Sequence, residues 1–185
     1  GDHTVTHPIL QAIAAHHGPV GVIHVDAHAD VNPSMFGEPI THGSWLRRAI
    51  EEQLVDPTRT VQIGLRGTGY AADDFDWITS LGGRVVPAEQ CWHRSLTPLM
   101  DDIRRTLGDA PVYLTFDIDG LDPALCPHTG TPVPGGLSFH EAVHLFEAVA
   151  RSGRTIVGFD LNEVAPGPDD EWDANVGARL LYKLI

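Results

Sequence analysis

The sequence is poor in cysteine, in positive charge and in long apolar segments, and each shortage excludes a class of protein. Its 185 residues include two cysteines without paired spacing, so neither a disulfide framework nor a cysteine-built zinc site is expected. Lysine and arginine number 12 against 25 aspartates and glutamates, a formal net charge of −13, which disfavours nucleic acid as a partner. No apolar run could span a membrane and no signal peptide is visible, so we expect a cytoplasmic protein without a membrane partner.

Segments typical of strands alternate with segments typical of helices, and this order predicts an α/β fold. Hydrophobic residues make up 42% of the chain, enough for one domain over residues 1–185 with a buried core. Alternation of this kind favours right-handed crossovers and a parallel sheet sandwiched by helices. About five strands are predicted: Val20–Val25, Thr60–Arg66, Arg84–Pro87, Val112–Asp119 and Thr155–Leu161.

Helix start and stop signals separate these strands. Thr6 is the expected N-cap of the first helix, and Ser138 with Glu141 forms a capping box before a helix over Phe139–Ala150. The helix predicted over Ala71–Leu81 carries Asp73, Asp74 and Asp76, which we expect on a solvated face. The other helices are expected after His42-Gly43-Ser44, from Ser95 to Leu107 and over Asp173–Leu184.

Two of the predicted strands end in metal-binding residue types. Asp26, His28 and Asp30 follow Val20–Val25 at a spacing of two, which on an extended backbone points all three the same way. Asp117 and Asp119 end the strand that begins at Val112. Since the carboxyl ends of parallel strands meet at one edge of a sheet, the five side chains are expected to converge there.

The donor set indicates the metal and the chemistry. Carboxylates with imidazole and no thiolate favour manganese, with zinc, iron or cobalt as alternatives. Two such ions that share a water molecule produce hydroxide at neutral pH, so the spacing alone predicts a binuclear metallohydrolase. His24, one step deeper in the first strand, is read as a core histidine rather than a ligand.

Three stretches resemble the signature motifs of the ureohydrolases, the family of arginase and agmatinase. They are Gly1-Asp2-His3, Asp26-Ala27-His28-Ala29-Asp30 and Phe116-Asp117-Ile118-Asp119-Gly120-Leu121-Asp122-Pro123. The resemblance covers essentially the whole chain. It implies an arginase-like three-layer α/β/α fold, two Mn²⁺ ions bridged by hydroxide or water, and hydrolysis of a guanidino group to urea and an amine in arginine or polyamine metabolism.

Residue roles are implied by the same resemblance. One manganese would be held by His3, Asp26, Asp30 and Asp117, and the other by Asp26, His28, Asp117 and Asp119. Asp30 would also orient the hydroxide, and His42 would pass a proton to the leaving amine. Glu163 would bind the guanidinium, a role that suits a carboxylate because a planar cation takes two parallel charge-assisted hydrogen bonds. Asn32 and His42 are further candidates for substrate binding.

The substrate and the extent of the domain are less closely defined. The loop from Val31 to Thr41 has no Arg or Lys for a carboxylate, and the segments from Thr41 and from Gly69 resemble agmatinase and guanidinobutyrase. A small cationic guanidine such as agmatine, or 4-guanidinobutyrate, is therefore expected rather than arginine. Ser44-Trp45 departs from the small polar and apolar residues usual in the family.

Relative to the family, the domain is expected to be truncated at its N-terminus, which would leave the Thr155–Leu161 strand at an exposed edge. The family also implies a homo-oligomer, a trimer or a hexamer. The alternatives are another amidine hydrolase of this fold (arginase, proclavaminate amidinohydrolase or formimidoylglutamase) and a non-catalytic truncated subunit.

Overall fold

Five parallel strands form one sheet at the centre of the structure. The structure is a computed structural model that describes residues 1–67, 71–168 and 171–184. The strands are β1 (Val20–Val25), β2 (Val55–Leu65), β3 (Arg84–Pro87), β4 (Val112–Asp117) and β5 (Ile156–Asn162), in the order β3-β2-β1-β4-β5. The predicted parallel sheet is confirmed, although β2 begins five residues before its predicted start at Thr60 and β4 ends at Asp117 rather than Asp119.

Helices cover both faces of the sheet, as the alternating order predicts. They are α1 (Thr6–His17), α2 (Trp45–Glu51), α3 (Asp74–Ser80), α4 (Thr97–Leu107), α5 (Phe139–Ala150) and α6 (Trp172–Leu181). One buried apolar cluster joins the sheet to α4, α5 and α6, and another joins it to α1, α2 and α3. β1 and β4 are buried on both faces, which is typical of central strands in a parallel sheet. Within the described part of the chain, no helix is long and apolar enough to cross a membrane.

β5 lies at one edge of the sheet. Among the described residues it pairs only with β4, and six of its seven residues are partly exposed. The predicted exposed edge strand is confirmed for this chain.

Two local expectations are corrected. The N-cap of α1 is Val5, because a helical turn over His3–Val5, capped by Asp2, already precedes the helix. Thr6 instead donates a 3.0 Å hydrogen bond from its hydroxyl to Asp160. Asp74, expected on a solvated face, is buried at 8% exposure, and its carboxylate accepts a hydrogen bond from the Ala71 amide.

The capping box of α5 matches the sequence expectation and offers a test of the fold. Ser138 accepts from the Glu141 amide, and the Glu141 carboxylate accepts from the Ser138 amide. Ser138→Ala should lower the free energy of unfolding by about 1 kcal/mol, since one helix-end donor loses its partner. Chemical denaturation would measure this loss. Ser34→Ala, on an exposed loop serine, is the control and should change stability little; an equal loss in both variants would contradict the capping assignment.

Candidate metal centre

The two central strands end side by side, and each ends in the same kind of turn. β1 and β4 pair in register up to Val25 and Phe116, which brings Asp26 and Asp117 next to each other. The Asp26 carboxylate accepts a 2.6 Å hydrogen bond from the His28 amide, and the Asp117 carboxylate accepts a 2.9 Å bond from the Asp119 amide. These bonds turn the chain at once, as aspartate side chains do in turns.

The expected extended backbone through Asp26, His28 and Asp30 is therefore wrong, although the side chains do converge. β1 stops at Val25, and Asp30 has a left-handed backbone with φ of 55°. Asp119 lies on a short helical turn and not on β4. The backbone at Gly67 lies close to the His28 ring, and only glycine fits there, because a Cβ atom would lie 2.6 Å from Cδ2 of His28.

The His3 imidazole is the point at which three aspartates meet. Its Nδ1 atom lies 3.2 Å from a carboxylate oxygen of each of Asp26, Asp30 and Asp117. His3 is fully buried, and its backbone amide donates a 2.7 Å hydrogen bond to Glu163. The structure thus brings together the four residues assigned to one metal.

His28 and Asp119 form a second group beside the first. Nδ1 of His28 lies 3.1 Å from Oδ2 of Asp119 and 3.4 Å from Oδ1 of Asp26. Asp26 faces His3 through Oδ2 and His28 through Oδ1. One carboxylate therefore joins the two groups, which is the arrangement a bridging ligand needs.

Hydrogen bonds behind the site fix the His3 tautomer. Nε2 of His3 lies 2.8 Å from the Thr115 hydroxyl, which itself donates a 2.8 Å bond to Asp160. Because the single hydroxyl proton points to Asp160, Nε2 of His3 is the donor to Thr115. Nδ1 of His3 is then left to face the three aspartates.

His24, read from the sequence as a core histidine, is fully buried, and both of its ring nitrogens make hydrogen bonds. The Gln62 amide nitrogen donates to the Ala29 carbonyl at 2.7 Å and lies 3.0 Å from Nδ1 of His24. Nδ1 of His24 is therefore an acceptor, and Nε2 donates a 2.7 Å bond to Asp26. His24 thus holds the Asp26 carboxylate, and its ring also lies close enough to His3, Asp26 and Asp30 for these four residues to form a group that could hold a metal ion.

The electrostatics show how strongly this site attracts positive charge. Burial lowers the pKa of His3, but contacts with Asp117, Asp26 and Asp30 outweigh burial and raise the pKa well above its usual range. Burial also lowers the pKa of His28, but the contacts with Asp119 and Asp26 outweigh burial and raise this pKa to about 11. Burial and the charges of Asp26 and Asp119 raise the pKa of Asp117 well above the ordinary carboxyl value.

The residues fit a divalent cation better than they fit protons alone. A single proton on Nδ1 of His3 can be shared with one or two of the three oxygens around it, whereas a metal ion can be coordinated by all of them. The buried donors are oxygens and imidazole nitrogens, a set that suits manganese, zinc and similar ions. Positive charge at this place would also relieve the crowding of carboxylates.

A cavity of about 320 Å³ opens onto these residues. His42, Asn32 and Glu163, the three candidates for substrate contact, all line it. The Asn32 amide donates to the Gly43 carbonyl at 2.8 Å, and Glu163 has a left-handed backbone with φ of 59°. Burial raises the pKa of Glu163. Strained backbones at Asp30 and Glu163 are typical of functional sites.

Two residues near the site are not among the expected ones. Asp74 lines the cavity, although the sequence predicts that it lies on a solvated acidic helix face. Its burial in the structure distinguishes it from Asp73 and Asp76. Trp45 is fully buried behind His3 and Asp30 rather than in the cavity wall. Gly69 and Tyr70, which begin the second segment that resembles agmatinase and guanidinobutyrase, lie outside the described residues, as does Thr68.

Comparisons with known proteins agree with this geometry. Guanidinobutyrase of Pseudomonas aeruginosa is 54% identical over all of this chain and 58% of its own length. The mitochondrial agmatinase of Gallus gallus is 50% identical over all of this chain and 54% of its own length. The chain thus spans little more than half the length of these relatives.

A solved structure, the proclavaminate amidinohydrolase of Streptomyces clavuligerus, superposes with a TM-score of 0.88 at 41% identity, covering all of this chain and 62% of the other. An arginase from Bacillus cereus gives a TM-score of 0.88 at 28% identity over 68% of its chain. The sequence profile of the arginase family matches residues 1–185. The chain therefore belongs to the arginase family.

Proposed function

We propose that the protein is a binuclear manganese hydrolase that cleaves the guanidino group of a linear guanidine to urea and an amine. The observation that carries the proposal is the approach of Asp26, Asp30 and Asp117 to one nitrogen of His3 beside the His28–Asp119 pair. The relatives named guanidinobutyrase and agmatinase support this class of reaction.

The two halves of the site would hold one ion each. His3, Asp26, Asp30 and Asp117 would be the ligands of one, and Asp26, His28, Asp117 and Asp119 those of the other. Asp26 supports this division because its two oxygens face the two imidazoles separately. When bound, the ions would supply a water molecule made nucleophilic at neutral pH.

Side chains of the cavity would handle the substrate. The Glu163 carboxylate would orient the guanidinium, and one of its oxygens is itself fixed by the His3 amide at 2.7 Å. Asp30 would accept a hydrogen bond from the attacking water. As the water oxygen bonds to the guanidinium carbon and the bond to the substituted nitrogen breaks, His42 would give that nitrogen its proton.

The charge of the cavity favours a cationic substrate. Four carboxylates line it (Asp30, Asp74, Asp117 and Glu163), and no lysine or arginine is among the described lining residues. Agmatine carries a second cation, whereas 4-guanidinobutyrate carries a carboxylate, so the two differ most at the end away from the guanidine. We propose a substrate of the agmatine or 4-guanidinobutyrate type over arginine.

Urea release from the three guanidines tests the substrate class. The specificity constant should be higher for agmatine than for arginine, since the cavity offers no described cation to the carboxylate of arginine. It should also be higher for 4-guanidinobutyrate than for arginine, because a relative that is 54% identical is named guanidinobutyrase. A colorimetric urea assay with the manganese-loaded protein measures the order. Arginine in first place would overturn the substrate proposal, and formamide in place of urea would overturn the reaction.

Glu163→Gln tests the guanidinium contact. The change keeps an oxygen for the His3 amide but removes the charge, so kcat/KM should fall by about 10- to 100-fold, as expected for one charge-assisted hydrogen bond. Manganese content should stay unchanged. Glu89→Gln, the same change on an exposed residue, should retain full activity. Wild-type kinetics in the Glu163 variant would remove that residue from the site.

His28→Ala tests the division into two ion sites. His28 contacts Asp26 and Asp119 but no residue that belongs only to the His3 group. The variant should therefore retain about one manganese per chain where the wild type binds two. Plasma mass spectrometry after gel filtration counts the ions. His16→Ala, on an exposed histidine of α1, should retain two; loss of both ions from the His28 variant, or of neither, would contradict the division.

A further inference from the structure

Trp45 contacts the candidate metal centre but is not among the described residues that line the cavity. It is the first residue of α2 and is fully buried. Its indole Nε1–H donates a 2.7 Å hydrogen bond to Oδ2 of Asp30. The same carboxylate oxygen lies 3.2 Å from Nδ1 of His3. The indole therefore holds the oxygen that faces the imidazole.

The indole ring also packs against two histidines of the site. It stacks on His3 with ring centroids 4.8 Å apart and an interplanar angle of 27°. It meets His24 edge-on, with centroids 5.2 Å apart at 77°. His24 in turn donates to Asp26. Trp45 thus contacts Asp30 through its N–H and His3 through its ring face. It also contacts His24, which holds Asp26.

Asp30 needs such support more than the other aspartates do. Asp26 and Asp117 are fixed by the backbone amides of their own turns, whereas Asp30 lies beyond the strand with a left-handed backbone. Trp45 is well placed to provide the support, since its own amide is tied to the Thr41 carbonyl at 3.1 Å and α2 packs against α1.

We propose that Trp45 is a positioning residue that sets the orientation of Asp30 and His3 for one of the two metal ions. The inference rests on the proposed metal centre and deepens it. Outer hydrogen-bond partners of metal ligands affect metal affinity by about 10- to 100-fold in proteins. The Trp45 N–H donates to Asp30, which belongs only to the His3 half, so loss of that N–H is expected to affect the His3 half alone.

The test removes the N–H and keeps the ring. Trp45→Phe is the simple variant, and 3-benzothienylalanine at position 45 is the isosteric one, with sulfur in place of the N–H. Calorimetric titration of the chelator-stripped protein with MnCl₂ should show two binding steps in the wild type. In both variants one step should weaken by about tenfold or more while the other stays unchanged. Trp92→Phe is the control, because that indole donates to the Gly135 carbonyl on a partly exposed surface.

Two further readouts separate positioning from simple packing. Thermal unfolding of the metal-free protein should differ between the isostere and the wild type only by the loss of the one hydrogen bond to Asp30, since the ring volume is kept, and this difference should be absent in the Asp30→Ala background. In an Asp30→Ala background, the isostere should cause no further loss of manganese affinity, because its partner is gone. Equal affinity of the isostere and the wild type, or equal weakening of both steps, would overturn the proposal. A wild-type protein that binds no manganese would instead overturn the proposed function.

Discussion

The structure depends on the crowding of buried carboxylates at the ends of two adjacent strands. Asp26, Asp30, Asp117 and Asp119 are all buried, and burying several like charges together is costly unless positive charge accompanies them. His3 and His28 supply part of that charge, and their raised pKa values reflect it. The carboxylates and imidazoles thus form an arrangement that further positive charge, such as a divalent cation, would stabilise.

The fold positions this cluster through hydrogen bonds that reach well beyond it. Gln62 on β2 orients His24 on β1, and Asp160 on β5 orients Thr115 on β4. Each of these hydrogen-bond chains ends on one ring nitrogen of a histidine, His24 or His3. It therefore determines whether the other ring nitrogen carries the proton. The N-terminal segment and the exit of β5 are also tied together, since the Glu163 amide donates to Gly1 and the His3 amide to Glu163. The sheet order therefore determines the chemistry at its edge as well as the shape.

Much of the fold could be predicted from local patterns. β1, β3 and α5 have their predicted bounds, because apolar runs flanked by glycine, proline or a capping box are local signals. Asp26, His28, Asp30, Asp117 and Asp119 could be named because their spacing follows two such runs, whereas His3, His42 and Glu163 could be named only from the resemblance to the ureohydrolases. Their geometry could not be predicted: the turns at Asp26 and Asp117, the left-handed backbone of Asp30 and the tautomers of His3 and His24 depend on partners distant in sequence. The burial of Asp74 and the placement of Trp45 could not be predicted either, since both follow from packing between helices and strands.

We propose that two metal ions lie on either side of Asp26. Anomalous diffraction at the manganese edge, from crystals of the manganese-loaded protein, tests it most directly. Two peaks are expected, one among His3, Asp30 and Asp117 and one between His28 and Asp119, with the Asp26 carboxylate between them. A single peak, a peak bonded to His24, or density for manganese only outside this edge of the sheet would contradict it.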